Sequence, residues 1–176
     1  EEEETAEQQG KLDGDIVSAF AQATTELVQN RMGEGQRLAV TIDGHLDEIE
    51  RCVQEAAGIA AAQPAEIAKR MREQVRALAT EVPALTEERL VQEVALLAVK
   101  ADIREELDRL AAHVEGAREL LAGGSPVGRK LDFLCQEFNR EANTVCSKSS
   151  DLDLTRVGLE LKAVIERLRE QIQNIE

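Results

Sequence analysis

The sequence predicts an all-α protein, in which a long helical arm, an antiparallel coiled-coil-like hairpin, is joined to a C-terminal helical bundle. Only three of the 176 residues are aromatic, while 43% are hydrophobic. These apolar residues are mostly Ala, Leu, Val and Ile among Glu, Arg and Gln, which is typical of helices and not of β-sandwiches or barrels. The apolar residues also recur at steps of three and four along most of the chain, the spacing of one helix face.

The N-terminal half predicts a first helix and then the arm. After the acidic stretch EEEETAEQQG, residues 12–32 form one apolar stripe, and Gly33 and Gly35 are expected to end that helix. A second stripe starts near residue 36 and keeps its phase to Val82 across Pro64. It is either one long kinked helix or two helices stacked end to end, and an arm of this length needs a partner helix.

The C-terminal half predicts shorter helices separated by recognisable end signals. Asp102 can cap a helix that Gly123 and Gly124 stop, Pro126 suits the start of the next, and Asp151 or Asp153 caps the last. No strand pattern is visible. The predicted domains are residues 1–35 (lead-in and first helix), 36–83 (arm) and 84–176 (C-terminal domain).

The charge distribution narrows the possible partners. The net charge is −14, but the acidic excess is concentrated upstream, with four basic against fourteen acidic residues in 1–62 and eight against nine in 126–176. The C-terminal part can therefore present basic patches to phosphate although the whole molecule repels it.

Cysteine use and hydropathy indicate the cellular compartment and the absence of a membrane span. The three cysteines form no Cys-x-x-Cys pair, which favours a reducing cytoplasm and simple packing roles. The longest apolar runs are far shorter than the roughly 20 residues of a membrane span. We therefore expect no membrane association.

Two polar constellations stand out. In ADIREELDRLAAH, Asp102, Glu106, Arg109 and His113 share one side of a helix, an arrangement that can hold a divalent ion or exchange protons with water. From spacing alone, ordinary i,i+4 salt bridges on a solvated helix are the more common explanation.

The second constellation is a stripe of amides beside a core face. It contains Asp132, Gln136, Asn139 or Arg140, and Asn143. Asn is disfavoured inside helices, so the stripe suggests hydrogen bonding to RNA or, equally, to a neighbouring helix. At the start of the same helix, Arg129 and Lys130 are suited to binding a backbone phosphate.

Three blocks together resemble the YicC/YloC family of bacterial endoribonucleases. They are RLVQEVALLAVKADIREELDRLAAHV, GRKLDFLCQEFNREANTVCSKSS and ELKAVIERLREQIQNIE, and NRMGEGQRL at 30–38 is similar to the family's R-x-x-E-G segment. Family members begin with a further domain of roughly one hundred residues that contains β structure, and we expect this sequence to correspond only to the part that follows it. The resemblance therefore implies the C-terminal helical region of a cytoplasmic, stress-induced enzyme that cuts RNA with Mg²⁺ or Mn²⁺ as a homo-oligomer, hexameric at full length.

The same resemblance implies site residues. The catalytic candidates are Glu106, His113, Glu137 and Glu141. The candidate metal ligands are Asp102, Glu105, Glu106 and Asp132. The candidate RNA-binding residues are Arg129, Lys130, Gln136, Asn139, Arg140, Asn143 and Lys148. Because we expect no aromatic platform in this half, recognition through backbone and 2′-hydroxyl contacts predicts weak base preference.

Two other functions remain open. One is a non-catalytic oligomerisation module built on the long arm, and the other is an adaptor that delivers RNA to another nuclease. Charge reversals at Arg129, Lys130 and Arg140 separate them, because the RNA functions predict weaker binding and a smaller salt dependence.

Overall fold

The computed structural model describes residues 6–78, 87–124, 126–149 and 151–175, and these ranges are helical with no strand. The predicted all-α class is confirmed. The five helices are α1 (Ala6–Leu78), α2 (Glu87–Lys100), α3 (Arg104–Ala122), α4 (Gly128–Lys148) and α5 (Leu152–Ile172). The chain divides into two compact units, Glu1–Val40 and Thr41–Glu176.

Helix α1 is longer than predicted. It is continuous through Gly33 and Gly35, so the expectation that a first helix ends there is wrong, and it also contains Pro64. An internal glycine costs only about 1 kcal/mol relative to alanine, which helix formation on both sides outweighs. The predicted domain division remains a prediction, since its boundary at 83/84 and the first five residues of the acidic lead-in lie outside the described residues.

In the first unit, the predicted apolar stripe of α1 is present but not covered. Leu12, Ile16, Phe20, Leu27 and Val28 are all between 48% and 73% exposed. None of the described side chains of this unit is fully buried. This stripe therefore contributes nothing to a core within the described part of the chain.

The core of the second unit lies among α3, α4, α5 and the adjoining part of α1. Helix α4 packs against α3 on one side and α5 on the other. The apolar stripes predicted for these helices are buried, with representatives Ile42, Leu46, Ile49, Ile103, Leu110, Leu131, Phe138, Leu154, Leu161 and Leu168. Burying such side chains stabilises the fold by roughly 1.5–3 kcal/mol each.

Three arginines attach α1 to the bundle within this second unit. The pairs are Arg118 of α3 with Glu50 (3.0 Å), and Arg156 and Arg167 of α5 with Glu55 (2.6 Å) and Glu48 (2.7 Å). All these side chains are at least a third exposed, so the pairs fix orientation more than they stabilise.

The predicted helix ends are largely in place. Asp151 caps α5, its side chain accepting the backbone N–H groups of Asp153 and Leu154. Gly124 follows α3 with a φ of 81°, a conformation that side-chain-bearing residues rarely adopt. The connections from α3 to α4 and from α4 to α5 are short, so neighbouring helices run antiparallel. Polar residues near the end of one helix therefore meet those near the start of its neighbour.

Candidate functional site

One imidazole and two carboxylates converge between α3 and α4. His113, Glu137 and Glu141 each offer one ligand atom, and these three atoms lie within 4.8 Å of one another. They come together because the helices are antiparallel, so the middle of α3 faces the second half of α4. Among the described residues this is the one group of three or more such side chains whose ligand atoms lie close enough together to share a metal ion.

The imidazole of His113 packs against a neighbouring ring, but one of its nitrogens has no hydrogen-bond partner among the described residues. Its ring meets that of the buried Phe138 edge to face, with centroids 5.7 Å apart and planes at 79°. Its Nε2 is buried and has no hydrogen-bond partner among the described residues. A buried ring nitrogen without a partner costs free energy, so this atom is suited to an acceptor or a cation.

The buried carboxylate of Glu141 has a second partner on α3. Arg109 Nη1 donates to Glu141 Oε1 at 3.3 Å, and Arg109 Nη2 donates to Glu105 one turn earlier. The Glu141 side chain is 5% exposed, whereas that of Arg109 is 52% exposed. Arg109 thus brings a positive charge from the surface to a carboxylate that has little access to water.

A second ion pair lies towards the start of α3 and the end of α4. Lys148 Nζ donates to Glu106 Oε1 at 2.8 Å and to the backbone carbonyl of Asp102 at 2.9 Å. Glu106 is buried, and its Oε2 has no hydrogen-bond partner among the described residues. Together with the His113 group, this pair makes a polar seam along the α3–α4 interface.

Asp102 is held by the residue that begins α3. The guanidinium of Arg104 donates to both carboxylate oxygens, at 2.5–3.1 Å, and the Arg104 backbone N–H donates to Oδ1. The Arg104 side-chain hydrogen bonds are the main reason that the pKa of Asp102 is lowered to about 2. The carboxylate is therefore ionised but already occupied.

The predicted metal ligands do not form one group in the described part of the chain. Asp102 pairs with Arg104, Glu105 with Arg109, Glu106 with Lys148, and Asp132 accepts from Gln136 at 3.2 Å. By contrast, three of the four predicted catalytic residues, His113, Glu137 and Glu141, meet at one point. The role of every one of these residues remains a prediction.

Most of the predicted RNA-binding residues lie on one exposed face of α4. Arg129, Gln136, Arg140 and Asn143 are spaced by seven, four and three residues, which places them along a single stripe. Lys130 is also exposed, Asn139 is half-buried, and Lys148 is in the ion pair with Glu106.

Sequence reasoning missed one residue of this face. Phe133 is 60% exposed and lies between Arg129 and Gln136 on the stripe, one turn before Glu137. An exposed ring among basic and amide side chains is suited to stacking on a nucleobase, contrary to the expectation of no aromatic platform. The sequence signal for Phe133 is its spacing, four residues after Arg129 and seven before Arg140, which places it on the same helix face.

Comparison with known proteins gives the family. The chain matches the family described as "Endoribonuclease YicC-like, C-terminal" over residues 56–176. It is similar to a protein of Haemophilus influenzae named "Probable endoribonuclease YicC", 40% identical over 162 residues, which are 92% of this chain and 55% of that protein. A Clostridioides difficile protein of the same name is 34% identical over 174 residues, 99% of this chain and 59% of its own length.

The chain spans 55% and 59% of the length of these two curated relatives. No helix in the described ranges combines the length and apolar character that crossing a membrane requires. The match covers more than half of this chain, including α3, α4, α5 and the whole polar seam, and the chain therefore belongs to the endoribonuclease YicC-like family.

Proposed function

We propose that this chain is the C-terminal helical region of a cytoplasmic, metal-dependent endoribonuclease that cleaves RNA phosphodiester bonds within an oligomeric ring. The names of the relatives support the enzyme class. The observation that carries the proposal is the convergence of His113, Glu137 and Glu141 on one point, with the Nε2 of His113 buried and unpartnered.

The donor set fits a divalent cation. Two carboxylates and an imidazole nitrogen within 4.8 Å of one another match the ligand types of Mn²⁺, while Mg²⁺ prefers an all-oxygen shell. We therefore expect this centre to favour Mn²⁺ over Mg²⁺. When bound, such a cation stabilises negative charge on a phosphate and lowers the pKa of water.

The residues around the centre have different roles in proton transfer, cation binding and RNA binding. Glu137 is more exposed than Glu141, so the oxygen of its carboxylate that the cation would leave free is the one able to accept a proton from an attacking hydroxyl. Glu141 is buried and fixed by Arg109, which suits a ligand that must keep its position. The exposed basic side chains of α4, Arg129, Lys130 and Arg140, hold the RNA backbone beside them.

The test is cleavage of a labelled structured RNA by this chain and by the full-length protein, with Mn²⁺, Mg²⁺ or chelator. His113→Gln, Glu137→Gln and Glu141→Gln are each expected to lower the rate by about 100-fold or more, the usual contribution of a positioned acid or base. The control is His45→Gln, because His45 Nδ1 is likewise buried without a hydrogen bond but lies on α1, away from the centre.

Each outcome is informative. Equal losses of cleavage rate in the His45 and His113 variants would mean that both act through protein stability. This result would refute the assignment of His113 to the metal centre. Cutting by the full-length protein alone, still abolished by His113→Gln, would leave the centre in place but make the upstream region necessary. Metal-independent cutting would refute the metal centre itself.

A second function, assembly, is favoured by one specific observation. The first unit exposes an apolar stripe of five large side chains, Leu12, Ile16, Phe20, Leu27 and Val28. Exposed stripes of this kind mark surfaces that bind other helices. If assembly is the main role of this chain, Ile16→Gln with Phe20→Gln will lower the oligomer mass in analytical ultracentrifugation, while His113→Gln will leave RNA processing unchanged.

A further inference from the structure

Arg109 occupies an unusual position relative to the candidate metal centre. It bonds to Glu141, one of the three converging side chains, and it lies one turn before His113 on α3. Its guanidinium therefore provides a positive charge to a ligand that the cation would also need. Its other partner, Glu105, is 72% exposed and leads away from the centre towards solvent.

We propose that Arg109 is an internal substitute for the cation, which metal binding displaces from Glu141 and which then binds an RNA phosphate beside the centre. This inference rests on the proposed function, because it requires a cation at His113, Glu137 and Glu141. It assigns to Arg109 a role in coupling metal binding to substrate binding.

The burial of Glu141 explains why the carboxylate needs one positive partner or the other. A carboxylate that is 5% exposed is poorly hydrated, so leaving it without a counter-charge is costly. In the structure, the counter-charge comes from Arg109 Nη1 at 3.3 Å. A divalent ion would supply it more strongly, and its repulsion would weaken the hold of the guanidinium on Glu141.

The exposure of Arg109 explains why it can move. Its side chain is 52% exposed and has a second acidic contact in Glu105, so it can leave Glu141 without losing every partner. Guanidinium groups remain protonated throughout the working pH range, so Arg109 keeps its positive charge whether or not it contacts Glu141. The same group is well suited to bidentate phosphate contacts.

Position also favours a phosphate as the new partner. Arg109 contacts Glu141 at the point where the three ligands converge, and Arg140, which precedes Glu141 on α4, is exposed. A phosphate held between Arg109 and that point would receive charge from both. Metal binding is then expected to tighten RNA binding through this one side chain.

The first experiment measures Mn²⁺ binding by isothermal titration calorimetry, without RNA. Arg109→Gln removes the competing charge, so its Mn²⁺ affinity should rise about fivefold or more over wild type, at the lower end of ordinary coupling between sites. Arg109→Lys keeps the charge and should stay close to wild type. The matched control is Arg104→Gln, because Arg104 also pairs with a carboxylate, that of Asp102, but is hydrogen-bonded to none of the three ligands.

The second experiment measures binding of the labelled structured RNA by fluorescence anisotropy, with and without Mn²⁺, before cleavage is detectable. Wild type should bind more tightly with Mn²⁺, and Arg109→Gln should lose most of this gain while Arg104→Gln keeps it. Circular dichroism at 222 nm reports whether each variant is folded, and Arg109→Met, which also removes the charge, provides a second test if the glutamine variant is not.

The outcomes separate this inference from the proposed function. If wild type binds Mn²⁺ through His113 and Glu141 but Arg109→Gln binds it equally or more weakly, the exchange is overturned and the metal centre stands. An unchanged RNA gain in Arg109→Gln overturns the phosphate role. If neither wild type nor Arg109→Gln binds Mn²⁺, both the centre and the exchange are wrong.

Discussion

Lys148 connects the end of α4 to the start of α3, because its ammonium group lies 2.8 Å from Glu106 Oε1. The same group also caps the carbonyl of Asp102 at 2.9 Å. The pair is unequal in exposure, at 32% for the lysine and 8% for the glutamate. The glutamate therefore depends on the lysine for its counter-charge far more than the reverse.

Lys148→Met should destabilise the fold by about 2 kcal/mol, since it leaves the buried carboxylate of Glu106 without its partner. Adding Glu106→Leu should recover much of this loss, because replacing both charges with apolar groups is often neutral. Urea unfolding followed by circular dichroism measures both. Lys69→Met, at an exposed position on α1, is the control. Equal stability of Lys148→Met and the control would show that the pair is not structural.

Gly158→Ala should destabilise the packing of α4 on α5 by about 1 kcal/mol or more. A Cβ at Gly158 would lie 2.7 Å from Cys146 Sγ, too close for any real contact, so either the Cys146 side chain or one of the two helices must shift. Gly116→Ala is the matched control, because nothing lies within 4 Å of its added Cβ and helix propensity alone should stabilise α3 by about 0.5–1 kcal/mol.

Adding Cys146→Ala to Gly158→Ala distinguishes the cause. If the sulfur is the obstacle, the double variant should regain stability relative to Gly158→Ala. If the double variant is less stable still, the close approach is not the reason for the glycine.

The buried faces of α3, α4 and α5 were predictable from periodicity, because each stripe repeats at the helical step and ends at a recognisable signal. The continuity of α1 through Gly33 and Gly35 was not, since a glycine weakens a helix by an amount that its neighbours can offset. Local signals predict where a helix can end, but the energy of the whole helix decides whether it does.

The candidate site shows the same limit. Spacing along one helix identified His113, and the family resemblance added Glu137 and Glu141, but the convergence of the three depends on the register between two helices. That register is set by packing, in which Phe138 lies against His113. The partner of Arg109 in particular lies 32 residues away on α4, a contact that no spacing rule within one helix predicts.

Stability should fall above pH 9 because of Cys135. Burial is the main reason that the pKa of this thiol is raised to about 12 from its ordinary value of 9.0, so only the unfolded chain loses the proton between these values. The stabilisation is complete below pH 9 and is lost as the pH rises towards 12, at up to about 1.4 kcal/mol per pH unit.

The measurement combines unfolding at several pH values with a thiolate titration at 240 nm. The sequence contains no Trp or Tyr, so the thiolate signal is not obscured by those residues. Cys135→Ala should flatten the pH dependence of the free energy of unfolding, although Cys52, whose pKa burial also raises, will leave some slope. A Cys135 thiol that ionises near pH 9 in the folded protein would contradict the prediction.

Reversing three charges on the exposed face of α4 should weaken RNA binding and lower its salt dependence. The variant is Arg129→Glu, Lys130→Glu and Arg140→Glu, in which each lost phosphate contact removes about 0.7–0.9 from the slope of log affinity against log salt. The matched control reverses three exposed basic residues elsewhere, Lys69, Arg72 and Arg89, and so has the same net charge.

Fluorescence anisotropy at several salt concentrations measures both slopes, and ultracentrifugation measures assembly. A loss confined to the α4 variant, with assembly unchanged, places the RNA on this face, because general repulsion would weaken both variants equally. If the two variants bind alike, or if the α4 variant loses assembly and not RNA, the face is an interface between protein chains.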